Sequence, residues 1–174
     1  RASKEGLGPA YIAGFKKALR LGASNVIQMD ADLSHPPEYV PILLESLMSC
    51  DIAVGSRYVA GGGTEEDWGL RRRLLSRGGD FYVHMALGLP IRDTKSGFKA
   101  FRREVLERLD FAAIKSKGFI FQAEVLYRCH RMGFRIKEVP FIFHDRKAGR
   151  SKMSFAIITE ALWRTLLVRW SRSK

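Results

Sequence analysis

Two carboxylates one residue apart, Asp30 and Asp32, have the spacing in this sequence that most clearly suggests chemistry. They follow an apolar run over 26–29 and precede Ser-His-Pro-Pro-Glu at 34–38. The run predicts a buried strand that delivers both acids to its carboxyl end, where open α/β sheets bind their ligands. Because such close negative charges repel each other, we expect a hard divalent cation, Mg²⁺ or Mn²⁺, that also binds phosphate oxygens. An Asp-rich turn opening a helix is the alternative, since Pro36-Pro37-Glu38 suits a helix N-terminus.

Glycines and cations elsewhere point to phosphate binding. Gly6 and Gly8 precede a predicted helix over 10–21, and glycine at a helix N-terminus lets a phosphate approach the backbone. Arg57 is the last residue of a second predicted strand over 51–57. The flexible segment 59–67 is predicted to be a mobile flap or a plain surface loop.

Composition limits the classes of protein that remain. The 174 residues are enough for one domain with a core, and 46% hydrophobic with 28% charged residues excludes a disordered or fibrous chain. No apolar run approaches the roughly 20 residues that span a bilayer. Cys50 and Cys129 lack metal-ligand spacing, so we expect buried thiols in a reducing compartment. The net charge of +12 indicates a polyanionic partner: nucleic acid, acidic lipid or phosphorylated substrates.

The order of the elements predicts an α/β fold that starts in mid-sheet. After the acidic strand, further helices are predicted over 38–48, 70–87, 103–109, 124–132 and 154–170. The segments 134–139 and 141–144 are predicted to be paired strands broken at Pro140. An enzyme built around the strand 26–29 would have earlier strands that hold the nucleotide, so we expect the chain to lack them.

Seven motifs, in order, resemble the polyprenol (dolichol) phosphate mannosyltransferases among the family 2 glycosyltransferases. They are Asp-Ala-Asp-Leu-Ser-His-Pro-Pro-Glu at 30–38, Gly55-Ser56-Arg57-Tyr58, Trp68 with Arg72 and Ser76, Ser96-Gly97-Phe98-Lys99, Lys117-Gly-Phe-Ile-Phe-Gln122-Ala-Glu124, Glu138-Val-Pro140, and Arg146-x-x-Gly149-x-Ser151-Lys152. The likeness runs from Gly6 to Lys152. It implies a GT-A type sheet flanked by helices, with residues 1–153 as an N-terminally truncated catalytic domain that lacks part of the guanosine site.

The resemblance implies inverting transfer of mannose from GDP-mannose to a polyprenyl (dolichyl-type) phosphate. Asp30 and Asp32 would be the catalytic metal ligands, and Ser34 stands where such enzymes often have Gln, so its metal contact would be weaker. The implied donor site comprises Gly6, Gly8, Asp30, Ala31, Asp32, Asp93 and Glu124. For Asp93 and Glu124, balancing arginines is the alternative to orienting sugar hydroxyls. His35 and His144 are expected to be structural.

The acceptor needs cations rather than a general base, because a phosphate monoester is largely ionised at neutral pH. The candidates for holding it are Arg57, Arg72, Ser76, Arg146, Ser151 and Lys152, since guanidinium groups bind phosphate through paired hydrogen bonds. The run of arginines at 71–73 has a plain alternative as a solvated helix face.

The last segment, 154–174, is predicted to be an amphipathic helix. Phe155, Ile158, Leu162, Leu166 and Trp170 share one face, widened by Trp163 and Leu167. Arginines beside tryptophans suit a lipid headgroup region, so we expect binding to the cytoplasmic face of a membrane, where a membrane partner subunit would also fit. A helix packed on its own sheet, or the stub of a membrane segment, is the alternative.

Two other functions remain open at this level. A polyprenyl-phosphate glycosyltransferase using another nucleotide sugar, such as UDP-glucose, would carry the same motifs. A basic nucleic-acid-binding module would interleave aromatic and cationic residues on one face. Here the cations lie at strand ends and in loops beside carboxylates, so we expect no nucleic-acid partner.

Overall fold

A four-stranded mixed sheet lies at the centre of the computed structural model, which describes residues 6–65, 69–144 and 155–170. The side chains of 70–73 and 155–160 are outside that description. The sheet order is β1-β4-β2-β5, and a separate ribbon pairs β3 with β6. The strands are β1 (Asn25–Gln28), β2 (Ile52–Ser56), β3 (Gly63–Thr64), β4 (Lys99–Arg102), β5 (Ile136–Pro140) and β6 (Ile142–Phe143).

Helices cover both faces of the sheet. They are α1 (Leu7–Arg20), α2 (Val40–Ser46), α3 (Leu70–Leu87), α4 (Arg103–Arg108), α5 (Ile120–Arg131) and α6 (Phe155–Trp170), and a 3-10 turn at Pro37–Tyr39 precedes α2. Successive strand residues alternate between the faces. Ile52 and Val54 pack with α1, α3, α4, α5 and α6, whereas Ala53 packs with α2. The α/β class predicted from the sequence is confirmed.

The strand pairing differs from the prediction in two ways. The segments 134–139 and 141–144 do not pair with each other, because β5 lies parallel to β2 and β6 lies parallel to β3. The chain therefore passes from one sheet to the other at Pro140 without making a hairpin. The sequence analysis also missed β4, which lies between β1 and β2 and is antiparallel to both. The predicted flap contributes β3 to the small ribbon.

Antiparallel β4 brings a third segment to the edge where the acidic strand ends. Gln28 at the end of β1 and Val54 near the end of β2 both pair with Lys99, the first residue of β4. The loop that precedes β4 must therefore lie at the same edge as Asp30 and Arg57. Within the described residues, no helix is long and apolar enough to cross a membrane.

Candidate active site

Asp30 is held from two directions just beyond β1. The Tyr11 hydroxyl on α1 donates to Asp30 Oδ1 at 2.9 Å, and the Asp30 backbone N–H donates to His35 Nδ1 at 2.9 Å. His35 is buried and stacks on Phe98 with ring centroids 5.0 Å apart. Because Nδ1 accepts this bond, the imidazole is neutral, and burial is the largest cause that lowers the pKa of His35 to about 4. The structural role expected of His35 is therefore to fix the backbone of Asp30.

Asp32 is oriented by its own turn. The N–H and the hydroxyl of Ser34 both donate to Asp32 Oδ1, at 3.1 and 2.5 Å. Ser34 is fully buried, so this geometry disfavours the predicted metal contact and makes Ser34 a support for Asp32. Ala31 is exposed between the two acids, and Leu33 is exposed with a positive φ of 64°. A bulky residue rarely adopts that conformation, so the acidic turn carries local strain.

The acidic pair fits a divalent ion that shares its coordination with a substrate. Asp30 and Asp32 are both half-buried, which leaves them within reach of a ligand. Among the described residues, no group of three or more His, Cys, Asp or Glu side chains could enclose a metal ion. Mg²⁺ is commonly bound in this way, by one or two carboxylates together with phosphate oxygens and water.

Arg57 is fixed at the end of β2 by Asp93. The carboxylate accepts the backbone N–H of Arg57 at 3.0 Å, its Nε at 2.7 Å and its Nη2 at 2.7 Å. Asp93 is fully buried, and its own N–H and that of Arg92 donate to Glu138 on β5 at 2.9 Å. The geometry therefore supports the alternative in which Asp93 balances an arginine, and it disfavours contact between Asp93 and a donor sugar.

A polar cavity of about 230 Å³ opens beside Arg57. It is lined by Arg57, Tyr58, Gly62, Gly63, Thr64, Ser76 and Arg77. The Tyr58 hydroxyl lies 2.7 Å from Ser76 Oγ, and the Arg57 guanidinium lies over the Tyr58 ring at 5.1 Å. The structure thus brings together two residues predicted to hold the acceptor phosphate, Arg57 and Ser76, although they are far apart in the sequence. Arg77 is a further cation at this cavity that the sequence analysis did not select.

A buried polar network supports the loop before β4. Lys99 is fully buried, and its ammonium donates to the Ser96 carbonyl and to Gln122 Oε1, the latter at 2.6 Å. Gln28 Nε2 donates to the same Gln122 oxygen at 2.6 Å and to the Gly97 carbonyl at 3.2 Å. Burial is the largest cause that lowers the pKa of Lys99 to about 7. This network links the end of β1, the loop 93–98 and α5 directly beneath the acidic turn.

Two other predicted donor contacts have structural partners instead. Glu124 is buried on α5, where its oxygens accept Arg128 Nε at 3.0 Å and the Ser116 N–H at 2.9 Å. Gly8 lies inside α1, and its N–H donates to the Lys117 carbonyl at 3.0 Å. The prediction that the helix begins after Gly8 is therefore wrong, and the Gly8 amide already has a hydrogen-bond partner. Gly6 precedes α1 with a φ of 105°, which favours glycine.

Part of the predicted acceptor site lies outside the described residues. This applies to Arg146, Ser151 and Lys152 and to the side chain of Arg72. Their roles stay predictions. The long helix that carries Arg72 begins and ends at the predicted residues, 70 and 87.

Among the side chains described on the last helix, over 161–170, most of the large apolar ones are exposed. It packs on α3 and α5 through Ala161, Thr165 and Val168. Four large side chains are exposed instead, namely Leu162, Trp163, Leu167 and Trp170. On α3, which contacts α6, Phe81 and Met85 are also exposed. Of the predicted apolar face, Leu166 is half-buried, whereas Leu162 and Trp170 are exposed. Packing within the protein and binding to a membrane therefore both stay open for this helix.

The functional geometry missed by sequence analysis comes from residues with an ordinary core pattern. Tyr11 falls on the apolar face predicted for α1, and only its hydroxyl distinguishes it from Phe15 on the same helix. Lys99 belongs to the motif Ser96-Gly97-Phe98-Lys99, but nothing in the spacing of that motif indicates that the lysine is completely buried. A lysine within the otherwise apolar run Phe98–Phe101 was the available signal for its burial.

Comparison with known proteins places this chain in a family. The family model described as "Glycosyl transferase family 2" matches residues 1–110. The chain is 46% identical over 165 residues to the polyprenol monophosphomannose synthase of Mycolicibacterium smegmatis, covering 94% of this chain and 62% of that protein. It is 43% identical over 170 residues to the undecaprenyl-phosphate mannosyltransferase of Micrococcus luteus, covering 98% of this chain and 69% of that protein. The chain thus spans under two thirds of the first relative.

Solved structures agree on the fold. The structure resembles glucosyl-3-phosphoglycerate synthase from Mycobacterium tuberculosis in complex with Mn²⁺, UDP-glucose and glycerol 3-phosphate, with a TM-score of 0.64. Identity is 21%, and the match covers 98% of this chain and 57% of that protein. The same enzyme with Mg²⁺ and UDP matches with a TM-score of 0.61. The predicted GT-A type α/β fold is therefore confirmed.

Proposed function

Because this chain belongs to glycosyl transferase family 2, we propose that it transfers mannose from GDP-mannose to a polyprenyl phosphate, with inversion at the sugar. The observation that carries this proposal is that two groups of polar side chains lie at the same edge of the sheet. The acidic pair, Asp30 and Asp32, follows β1, and the cavity with Arg57 and Ser76 follows β2. The identities of 46% and 43% to two polyprenyl-phosphate mannosyl enzymes support the choice of substrates.

The acidic pair would hold a Mg²⁺ or Mn²⁺ ion, which neutralises the charge of a departing diphosphate when bound. The protein's own contribution is to keep both carboxylates oriented, through Tyr11 and His35 for Asp30 and through Ser34 for Asp32. Asp30, Ala31 and Asp32, with Gly6 before α1, form the proposed donor side of the site. Fixed groups of this kind stabilise developing charge without having to reorganise during the reaction.

The acceptor phosphate would bind in the cavity beside Arg57. Its guanidinium is locked by Asp93, so it can present a charged donor in one orientation, and the Ser76 hydroxyl lies at the same cavity. A phosphate oxygen attacks the anomeric carbon while the bond from that carbon to the GDP oxygen breaks, which inverts the configuration. No general base is needed, because the monoester is already ionised. Arg72, Arg146, Ser151 and Lys152 are proposed to complete this site.

The lipid chain is proposed to run along a membrane-facing surface formed by α6 and α3. Trp163 is 63% exposed and Trp170 is 73% exposed. Exposing these rings to water is unfavourable, and insertion among lipid headgroups would remove that free-energy cost. Cys50 and Cys129 are free and buried, which agrees with the cytoplasmic face of a membrane. We expect the Trp163→Ala, Trp170→Ala double variant to bind anionic liposomes more weakly than the wild type. Unchanged liposome binding by a folded double variant would contradict the proposed surface.

The substrates are tested with radiolabelled nucleotide sugars and a panel of acceptors. The full chain, incubated with GDP-mannose and polyprenyl phosphate, is expected to produce labelled lipid that partitions into organic solvent. Non-phosphorylated polyprenol should accept no label, because the cation cavity would have nothing to bind. If the protein transfers sugar from UDP-glucose but not from GDP-mannose, the proposed donor is wrong and UDP-glucose takes its place. Binding of single- or double-stranded nucleic acid at physiological salt, without any sugar transfer, would favour the nucleic-acid alternative.

A further inference from the structure

Tyr11 is a polar contact of the acidic turn that comes from another element. It lies in the first half of α1, and its hydroxyl donates to Asp30 Oδ1 across 19 positions of sequence. His35 fixes the backbone of Asp30 through the N–H, so only the side-chain torsions of Asp30 remain to be set. Gly97 lies beside the same carboxylate, since a Cβ there would be in ordinary van der Waals contact with its two oxygens, at 3.5 and 3.6 Å.

The ring of Tyr11 is itself fixed by aromatic neighbours. It lies parallel to Phe121 on α5, with centroids 5.9 Å apart and 6° between the planes. It also stacks with Phe15, with the ring centroids 6.3 Å apart. A hydroxyl on so constrained a ring can occupy few positions. A tyrosine hydroxyl is ordinarily protonated at neutral pH, so it is available to donate to the carboxylate.

We propose that Tyr11 is a positioning residue for metal binding, whose hydroxyl holds the Asp30 carboxylate in the orientation that receives the ion. The inference rests on the proposed function, in that it takes Asp30 to be a metal ligand. It extends that function by assigning a role to a residue of α1. The hydroxyl uses one lone pair of Oδ1. The remaining lone pairs of the carboxylate are thereby held in a defined orientation toward the donor side of the site.

Two opposing effects decide the expected result. Donation from Tyr11 draws charge from the carboxylate and would by itself weaken its hold on a cation. Donation also removes rotational freedom that binding would otherwise have to restrict. For residues that hydrogen-bond to metal ligands, the orienting effect generally outweighs the loss of charge, and removing them costs roughly 10- to 100-fold in metal affinity. We therefore expect Tyr11→Phe to bind the ion more weakly.

The experiment is a titration of the full chain with Mn²⁺ in the presence of GDP, followed by electron paramagnetic resonance of the free ion. Tyr11→Phe keeps the ring and its stacking, and we expect its Mn²⁺ dissociation constant to rise roughly 10-fold or more. The matched control is Tyr82→Phe, which removes a hydroxyl that donates to the Leu162 carbonyl at 3.1 Å, and it should bind Mn²⁺ like the wild type. Thermal unfolding of each variant monitors the fold.

A second variant separates positioning from packing. Phe15→Leu disturbs the same aromatic stack but removes no hydrogen bond to Asp30. If Phe15→Leu weakens Mn²⁺ binding as much as Tyr11→Phe, the effect comes from packing and the proposal is overturned. Unchanged or tighter binding by Tyr11→Phe also overturns it.

The outcomes separate this proposal from the proposed function. If Tyr11→Phe weakens Mn²⁺ binding selectively but the wild type transfers another sugar, only the choice of mannose is wrong. If the wild type binds Mn²⁺ and transfers mannose while Tyr11→Phe is indistinguishable from it, only the role of Tyr11 is wrong. A wild type that binds no Mn²⁺ with GDP contradicts the metal site and the role of Tyr11 together.

Discussion

The buried pair formed by Asp93 and Arg57 allows a prediction that separates two roles for Asp93. Asp93→Asn keeps the shape of the side chain but removes its charge and turns one acceptor into a donor. In the native protein the carboxylate accepts three hydrogen bonds from Arg57, with Asp93 fully buried and the Arg57 side chain 13% exposed. The substitution therefore leaves a guanidinium largely buried without its counter-ion.

The expected cost follows from that burial. Removing one member of a buried ion pair typically costs about 3–5 kcal/mol, because the remaining charge is desolvated and unpaired. Folded domains of ordinary stability have about 5–15 kcal/mol in total, so the loss would be large. The control is Glu107→Gln, which breaks the half-exposed pair with Arg103 at 2.6 Å. A surface pair of this kind is worth at most about 0.5 kcal/mol.

Urea unfolding of wild type, Asp93→Asn and Glu107→Gln measures these differences, with transfer kinetics measured on the same preparations. If Asp93 serves Arg57, the double variant Arg57→Met, Asp93→Asn should lose less stability than the two single variants added together. If Asp93 instead orients the donor sugar, Asp93→Asn should raise the donor KM while stability falls by less than about 1 kcal/mol. That second result would refute the assignment of Asp93 to Arg57.

Three further predictions concern the buried lysine, the start of α1 and the arginine helix. Lys99 has a pKa of about 7 when folded against 10.5 when unfolded, so the free energy of unfolding should rise by up to about 1.4 kcal/mol per pH unit between those values. Urea unfolding at several pH values in that range should show this increase in the wild type. If the same pH dependence persists in Lys99→Met, it comes from another group. Gly8→Ala places a Cβ 2.6 Å from the Ser116 carbonyl and should cost about 1–3 kcal/mol. Gly14→Ala, with nothing within 4 Å, should gain about 0.5–1 kcal/mol, and equal effects in urea unfolding would contradict the packing argument. Arg72→Ala should lower acceptor kcat/KM about ten- to a hundredfold and Arg73→Ala far less, whereas equal mild effects would indicate a solvated face.

The parts of the fold that could be predicted are those with a local signal. The helix over 70–87 has Gly88 just after it in the left-handed conformation, a local stop signal, and its predicted bounds are the observed ones. The strand that leads to Asp30 was predicted because an apolar run ends abruptly on acids. The sequence offered no such signal for β4, because the first residue of that strand is a lysine. Burial of the Lys99 ammonium is possible because it donates hydrogen bonds to Gln122 and to the Ser96 carbonyl.

The pairing of strands and of site residues depends on contacts that no local pattern reports. The adjacent segments around Pro140 have the sequence pattern of a hairpin, but β5 pairs in parallel with β2 and β6 pairs in parallel with β3. Asp93 has its counter-ion 36 positions away. Asp30 and Arg57 were predicted because each follows a strand, whereas the partners that orient them come from α1 and from the loop before β4. The chemical groups were therefore visible in the sequence, whereas the contact from Tyr11 was not. For Asp93, balancing an arginine was one of two alternatives, and only the structure shows that the arginine is Arg57.

The central claim is that the acidic pair supports mannosyl transfer to a lipid phosphate in a metal-dependent way. The most direct measurement is the rate of transfer from radiolabelled GDP-mannose to polyprenyl phosphate by the full chain, with Mg²⁺ or with excess EDTA, for wild type and Asp32→Asn. We predict metal-dependent transfer by the wild type, near-complete loss in Asp32→Asn, and similar unfolding midpoints for the two proteins. Undiminished transfer in EDTA, or wild-type turnover by Asp32→Asn, would contradict the account.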